Sequence, residues 1–348
     1  MTARKPTIDD VARLSGVGRA TVSRVLNDGP NVSAKMRAKV NEAVAALGYQ
    51  VNLQARFLAG GANRTVLLIC ASDTENEPNS YYQSALEIGA LRVSAQMGFE
   101  LVTHTLALDG EEVTRRLLHL VDDSRCCGVI LTPPFSDWPE LTAVLASRDA
   151  TTVRISPGHP AGEGMAAVGM DDEAAGYALA RYLVAQGHRR FGFIQGLAEH
   201  LSAEKRFRGA RRALDEAGLD AEAMAGVRGN FTFRSGVELL PRLLELPAPP
   251  TAVICANDDT AVGALFAAHR ADLHVPRDLS IASFDDTPVS ALVWPPLTTV
   301  HQPIQEMAAR AMQIIAASRT GNGAAAAPGH EFLPFSIIER SSVAPPPG

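Results

Sequence analysis

Two clusters of polar and acidic residues follow apolar runs in the second half of the chain. Asn257 and Asp258 come directly after Ala252–Ala256, and Asp285 comes directly after Ser280–Phe284. If these runs are parallel strands, both clusters lie at strand ends, where carboxylates can converge on the hydroxyl groups of a ligand. Capping of a following helix is the alternative for Asp258 and carries less weight for Asp285. The pattern indicates a binding site for a small polar molecule.

The sequence lacks the familiar signatures of catalysis. It contains no G-x-S-x-G, P-loop, H-E-x-x-H or C-x-x-C motif, and no strand precedes the glycines of Gly16-Val17-Gly18. The adjacent cysteines Cys126-Cys127 lack the two-residue spacer that lets two thiolates share one zinc. We therefore expect no enzyme activity, no cofactor and no metal.

Charge is distributed unevenly along the chain. Residues 1–61 contain nine Lys and Arg against four acids, a net charge of +5, which leaves −11 for the remainder of a chain whose total is −6. A basic head on an acidic body suggests that nucleic-acid contact is confined to the head, although a solvated helical surface would have the same composition. No segment is long and apolar enough to cross a membrane, and we expect the protein in the cytoplasm.

The basic head is predicted to contain three helices. Thr7 is a good N-cap for the first, Gly16 breaks it, and Ser33 caps the third, which ends at Gly48. The apolar positions predicted to point inward are Ile8, Val11, Ala12, Leu14, Val22, Val25, Leu26, Met36, Val40, Ala43, Val44 and Leu47. Arg19, Ala20 and Arg24 then face outward from the second helix, and we expect them to contact base edges in the major groove of DNA.

The acidic body alternates short apolar runs with helical segments. The predicted strands are Val66–Ala71, Leu101–Thr103, Gly128–Leu131, Thr152–Ile155, Phe191–Ile194, Ala252–Ala256 and Ser280–Phe284. The predicted helices are Ser84–Met97, Val113–Val121, Ala174–Gln186, Arg206–Ala217, Ser235–Leu244 and Thr260–Ala271. This alternation indicates doubly wound parallel sheets.

From Pro6 to Val343 the chain resembles the lactose-repressor (LacI/GalR) family of bacterial transcription regulators. The motifs that carry the resemblance are Thr7-Ile8-Asp9-Asp10-Val11-Ala12, Thr21-Val22-Ser23-Arg24-Val25-Leu26-Asn27, Val32-Ser33, Leu47-Gly48-Tyr49, Asn52 to Leu58, and Trp294-Pro295-Pro296-Leu297-Thr298-Thr299. The resemblance implies an all-α helix-turn-helix head and an α/β body of two doubly wound parallel-sheet subdomains, as in periplasmic binding proteins.

The resemblance also implies the domain limits. We expect the DNA-binding domain at 1–50, a hinge helix and linker at 51–63, and the effector-binding and dimerisation domain at 64–343. Its first subdomain would span about 64–157 and 290–320, and its second about 164–285 and 327–343. The predicted crossings between subdomains are Ser156–Gly164, Asp285–Ser290 and Thr320–Ala327.

By the same resemblance, residues 52–59 would form a hinge helix when two protomers bind the operator, because the segment is too short to be stable alone. Leu58 would insert into the minor groove and kink the duplex. Val51 replaces the proline that family members usually carry there, which should make this helix easier to melt. The candidate DNA-binding residues are Thr7, Arg19, Ala20, Thr21, Ser23, Arg24, Asn27, Ser33, Asn52, Ala55 and Leu58.

The implied effector site combines charged, amide and aromatic groups. Arg206 and Asp285 would form charge-assisted hydrogen bonds with the effector, Asn257 would add an amide, and Phe231 would stack on its flat face. Arg154 stands where many sugar-binding relatives have an aspartate, and it points to an altered or anionic ligand. The candidate effector-binding residues are Tyr81, Tyr82, Arg154, Arg206, Phe231, Asn257, Asp258 and Asp285.

The function implied is that of a cytoplasmic, nucleoid-associated repressor of carbohydrate-utilisation genes. A homodimer would bind a pseudo-palindromic operator, and a small sugar-like effector would release it. The dimer interface would include the helix Ser84–Met97 and the region Thr260–Ala271. The alternatives are activation, corepression by a nucleobase or sugar acid, and solute binding without regulation. The tail Ser341–Gly348 has no heptad pattern, so a tetramer held by a C-terminal coiled coil is not expected.

Overall fold

The computed structural model describes residues 6–26, 32–49, 64–71, 80–108, 110–159, 165–319 and 329–347. These residues belong to two compact units, Met1–Asn63 and Arg64–Gly348, each of which is described by itself. Four of the residues predicted to bind DNA lie outside the described residues, namely Asn27, Asn52, Ala55 and Leu58.

The N-terminal unit contains helices α1 (Ile8–Ser15), α2 (Arg19–Leu26) and α3 (Ala34–Leu47). Thr7 and Asp10 form the capping box of α1, and Gly16 ends that helix with a left-handed φ of 64°. Ser33 caps α3 by accepting a hydrogen bond from the Met36 amide. The core consists of Val11, Val22, Val25, Val40 and Ala43.

Two apolar residues predicted to point inward lie on the surface of this unit. Leu14 is 55% exposed and Met36 is 47% exposed. Both predictions are wrong because helices of this length contact each other over a narrow stripe, whereas the sequence pattern marks a wider apolar face.

The body contains two six-stranded sheets, one in each half. The first sheet has the order β11-β5-β4-β3-β1-β2 and the second has the order β12-β10-β9-β8-β6-β7. Neighbouring strands are parallel except for β10 and β12. The strands are β1 Thr65–Ala71, β2 Glu100–Leu106, β3 Gly128–Leu131, β4 Thr151–Ile155, β5 Ala166–Gly169, β6 Phe191–Gln195, β7 Ala225–Arg228, β8 Ala252–Cys255, β9 Ser280–Asp285, β10 Thr298–His301, β11 His330–Phe332 and β12 Ser336–Ile338.

Helices cover both sheets and bury their apolar faces. They are α4 Ser80–Met97, α5 Gly110–Ser124, α6 Pro139–Ala146, α7 Asp172–Ala185, α8 Leu201–Glu216, α9 Phe233–Leu244, α10 Asp258–Arg270, α11 Pro288–Leu292 and α12 Ile304–Arg319. In the first half α4 and α12 pack against the sheet, while α7 with α8 and α9 with α10 cover the second. No helix in the described part of the chain is long and apolar enough to span a membrane.

The chain passes between the two halves three times, as predicted, but at other places. The crossings lie between β5 and α7, between β10 and α12, and between β11 and β12. The predicted crossings at Ser156–Gly164, Asp285–Ser290 and Thr320–Ala327 are therefore wrong, as are the subdomain limits drawn from them. Ala166–Gly169 is made mainly of small residues with little β-propensity, so β5 is not evident from the sequence. Residues 320–327 lie outside the described residues, and α12 and β11 on either side of them both belong to the first half.

Candidate functional site

Arg206 is held by three separate segments at the carboxyl ends of the second sheet. Its Nε donates a 2.8 Å hydrogen bond to Oδ1 of Asp172, at the first residue of α7. Nη1 donates to the carbonyl oxygen of Ala256 at 2.8 Å, and Nη2 donates to Oε1 of Gln302 at 2.9 Å. The guanidinium lies 4.7 Å from the ring centroid of Phe284. The side chain is therefore fixed before any ligand binds.

A glycine makes this arrangement possible. A Cβ atom at Gly176 would lie 2.0 Å from the carbonyl oxygen of Arg206, so only glycine lets α7 and α8 approach this closely. Gly209 on α8 has the same role from the opposite side, because a Cβ atom there would lie 2.0 Å from the carbonyl oxygen of Glu173. The close helix pair places Asp172 beside Arg206.

Asp285 ends β9 next to Arg206, with its backbone at a left-handed φ of 107°. Its Oδ1 lies 3.7 Å from Nη1 of Arg206, which is beyond ordinary hydrogen-bond distance. Burial raises the pKa of Asp285 to about 8, and the guanidinium of Arg206 only partly opposes this. Burial, with the charge of Asp285 next, also raises the pKa of Tyr82, which α4 of the first half contributes. The two halves thus bring a phenol, a carboxylate and a guanidinium together.

An aromatic pair lies near Arg206. The rings of His200 and Phe231 are 4.7 Å apart, and Phe231 has a left-handed φ of 67°. Burial and then the charge of Arg206 lower the pKa of His200 to about 3, so its imidazole is neutral. Nδ2 of Asn257 donates to the Phe231 carbonyl at 2.9 Å, while its Oδ1 accepts from the Thr260 amide as the N-cap of α10. Asn257 therefore joins the Phe231 loop to the start of α10.

Asp258 does not face a ligand, and the expectation that it binds the effector is corrected. The residue is fully buried, and both carboxylate oxygens accept hydrogen bonds from within the protein. The donors are the hydroxyls of Ser283, Thr287 and Thr299 and the amide of Thr287. Four donors at 2.5 to 2.9 Å occupy the acceptor positions that a ligand would need.

Arg154 is engaged inside the first half. It is buried, its Nε donates to the carbonyl oxygen of Ser136, and Nη2 lies 3.4 Å from Oδ1 of Asp137. Asp137 also accepts from the backbone amides of Gly158 and His159. The guanidinium is thus matched by a carboxylate of its own half, and this contact does not support an anionic ligand.

The remaining predicted residues are placed as follows. Tyr81 is exposed on α4, next to the partly buried Tyr82. In the head, Arg19, Ala20 and Arg24 are exposed on α2, and Thr21 and Ser23 are partly buried there. Thr7 and Ser33 are helix caps.

Sequence reasoning missed three residues of the site. Asp172 follows β5, the strand that the sequence does not reveal, and Gln302 follows β10, which is also absent from the predicted strands. His200 lies just before α8, which begins at Leu201 and not at Arg206, so the predicted helix start is wrong. A search for polar residues after every parallel strand would have found Asp172 and Gln302.

Comparisons with known proteins agree with this architecture. Residues 7–52 match the model of bacterial regulatory proteins of the lacI family, and residues 180–343 match the periplasmic binding protein-like domain. The ribose operon repressor of Escherichia coli is 32% identical over 310 residues, covering 89% of this chain and 92% of the relative.

Two solved structures resemble almost the whole chain. The lac repressor dimer bound to operator and the anti-inducer ONPF has a TM-score of 0.76 and 26% identity, covering 98% of this chain and 100% of that one. The complex of the transcriptional regulator CelR with cellobiose has a TM-score of 0.69 and 28% identity, covering 97% and 99%.

A helix-turn-helix head followed by a two-sheet binding body defines a DNA-binding transcription regulator, and the relatives are regulators rather than enzymes. The chain belongs to the LacI family.

Proposed function

We propose that a small sugar-like effector binds between the two halves of the body and releases a homodimer from a pseudo-palindromic operator. The observation that carries the proposal is the pairing of a fully fixed Arg206 with an Asp285 carboxylate that lies 3.7 Å from it. Vicinal hydroxyl groups of a sugar can bridge these two side chains, because the guanidinium is a rigid donor and the carboxyl group has spare acceptor capacity. Phe231 and Tyr82 supply the aromatic surfaces that a sugar ring requires.

The charges around this site favour a neutral ligand. Arg206 is balanced by the buried Asp172, with which it forms a 2.8 Å ion pair, and Arg154 is matched by Asp137. His200, whose pKa is lowered to about 3 chiefly by burial, adds no positive charge. A sugar acid would therefore bring an unbalanced negative charge into a buried site, at a high desolvation cost. Relatives that are named for ribose or solved with cellobiose support the same class.

The DNA-binding part of the proposal assigns base contacts to Arg19, Ala20 and Arg24. Their exposure on α2 supports this role, together with Thr7, Thr21, Ser23 and Ser33 around them. We keep 1–50 as the DNA-binding domain, 51–63 as the hinge and linker, and 64–343 as the effector-binding and dimerisation domain. The boundary between the two compact units at Asn63 and Arg64 supports these limits. A regulator of this kind would act in the cytoplasm, at the nucleoid.

Exposed apolar side chains support dimerisation through both halves of the body. On α4 they are Tyr81, Ile88, Leu91 and Met97, and in the second half they are Phe266, Leu292 and Trp294. Leu292 and Trp294 are each 81% exposed, which is costly for large apolar side chains in a monomer. Association of two such surfaces would also place two identical heads on a symmetric operator.

Calorimetry with a panel of sugars, sugar acids and nucleobases tests the effector class. The wild type should bind a neutral sugar, and Arg206→Lys should lose at least about tenfold in affinity because a Lys cannot reproduce the three-way guanidinium contact. Arg208→Ala, on the same helix but exposed and paired with Glu173, is the matched control and should bind normally. Binding of a sugar acid or nucleobase in place of every neutral sugar would overturn the assignment.

Sequencing of genomic fragments bound to the protein, with and without the sugar found above, tests the regulatory part. We expect pseudo-palindromic fragments near carbohydrate-utilisation genes, and their loss when the sugar is added. Fragments that are retained only in the presence of the ligand would instead indicate corepression.

A further inference from the structure

We propose that Asp258 is a positioning residue that holds Asp285 in its effector-binding orientation without touching the effector. The inference rests on the proposed function, because it takes Asp285 to be an effector ligand. Asp258 begins α10, and Asp285 ends the neighbouring strand β9. The link between them is Thr287, two residues beyond Asp285.

The two oxygens of the Asp258 carboxylate have separate partners. Oδ1 accepts from the hydroxyls of Ser283 in β9 at 2.5 Å and Thr299 in β10 at 2.8 Å. Oδ2 accepts from the backbone amide of Thr287 at 2.7 Å and from its hydroxyl at 2.9 Å. One oxygen is thus anchored to the sheet, and the other binds the loop that follows Asp285.

This loop has a backbone that needs an external restraint. Asp285 has a φ of 107° and Asp286 a φ of 57°, both in the left-handed region that side-chain-bearing residues rarely adopt. Such conformations persist only where the surroundings fix them on several sides. Arg340 and His301 hold the Asp286 carboxylate from one side, and Asp258 holds Thr287 from the other. Asp285 directly precedes these two restrained residues.

The cost of burying Asp258 is consistent with such a role. Burial raises its pKa to about 6, although hydroxyl and amide donors oppose the shift. A neutral apolar residue would fill the same space without that penalty, but it would offer no acceptor to the Thr287 amide. The buried carboxylate therefore provides an acceptor that the loop requires.

Two matched variants of the full-length protein separate positioning from general stability. Thr287→Val and Thr299→Val each remove one hydroxyl donor from the same carboxylate, on the loop side and on the sheet side respectively. Thr287→Ser keeps the donor and should behave like the wild type. Two readouts are compared: deuterium exchange of the backbone amides of 285–290 without ligand, and calorimetry with ribose, cellobiose and other neutral sugars.

Thr287→Val should speed exchange at 285–290 and weaken sugar affinity by roughly tenfold, the effect of one lost hydrogen bond to a charged group. Thr299→Val loses an equivalent hydrogen bond, so it should lower the melting temperature as much as Thr287→Val does. Exchange at 285–290 and sugar affinity should stay within about twofold of the wild type. Equal effects of the two Val variants on exchange and affinity would overturn the proposal. The same holds if Thr287→Ser behaves like Thr287→Val and not like the wild type. If the wild type binds no neutral sugar, the proposed effector class is wrong, and the exchange comparison alone still decides the positioning role.

Discussion

Arg206 and Asp172 form a 2.8 Å hydrogen bond between Nε and Oδ1 although they belong to different helices, α8 and α7. The bond depends on Gly176, where a Cβ would lie 2.0 Å from the Arg206 carbonyl oxygen. The geometry of the candidate site is therefore set by the distance between two helices as well as by the side chains.

Gly176→Ala should separate α7 from α8 and move Asp172 away from Arg206. We expect a loss of about 1 to 3 kcal/mol in the free energy of unfolding, typical of overpacking, together with weaker sugar binding. Chemical unfolding and calorimetry measure both effects. Ala178→Ser on α7, at a partly exposed position, is the control and should change neither. An unaltered affinity in Gly176→Ala would show that the helix spacing does not control the site.

Asp285→Asn should stabilise the body at alkaline pH while abolishing sugar binding. Because burial raises the pKa of Asp285 to about 8, from an ordinary value of 3.8, its contribution to stability is present below pH 4 and is lost as the pH rises towards 8. The asparagine variant has no carboxyl group to ionise in the buried site. The difference between its melting temperature and that of the wild type should therefore grow between pH 5 and pH 8.5.

Thermal unfolding across that pH range measures the effect, which should reach about 2 °C or more. Asp278→Asn should instead change the melting temperature by a constant amount across this range, because hydrogen bonding from Arg277 lowers the pKa of Asp278 and the group is ionised in both the native and the unfolded state there. A pH-independent difference between Asp285→Asn and the wild type would contradict the assigned ionisation.

Arg19→Ala should weaken binding to the operator by about tenfold to a hundredfold and relax the preferred base at one position in each half-site. Lys39→Ala removes the same charge from the exposed surface of α3 and serves as the control. Fluorescence anisotropy with the selected operator and with random duplex separates the two effects. Equal losses on both DNAs for Arg19→Ala would indicate a phosphate contact only.

Leu292→Asp should prevent dimerisation because it places a charge at an apolar side chain that is 81% exposed and that we propose lies in the interface. Sedimentation velocity should show a monomer with an intact fold by circular dichroism, and operator affinity should fall with it. Leu246→Asp, at another exposed apolar position, should remain dimeric. Dimers in both variants would place the interface elsewhere.

The sequence predicts local features of this molecule better than the contacts between distant segments. The caps at Thr7, Ser33 and Gly48 and the apolar strand Gly128–Leu131 are found as predicted, because each depends on a few neighbouring residues. The strand Ala166–Gly169 is not evident, because small residues carry little periodic signal, and Asp172 after it was missed for the same reason.

Asp258 illustrates a second limit of sequence reasoning. Its position after a strand resembles that of Asp285, yet one acid is enclosed by Ser283, Thr287 and Thr299 and the other lies beside Arg206. The partners of Asp258 are 25 to 41 residues away from it, and only the tertiary structure decides which side chains face each acid.

Only Gln302 and Pro303 separate β10 from α12, so one of the three connections between the halves is two residues long. Gln302 accepts a hydrogen bond from Arg206 there, so a residue of this connection also holds the guanidinium that we propose contacts the effector. A molecule that draws the guanidinium away from Gln302 changes the restraint on this joint directly. Under the proposed function, effector binding would therefore act directly on a connection between the two halves, without intervening residues.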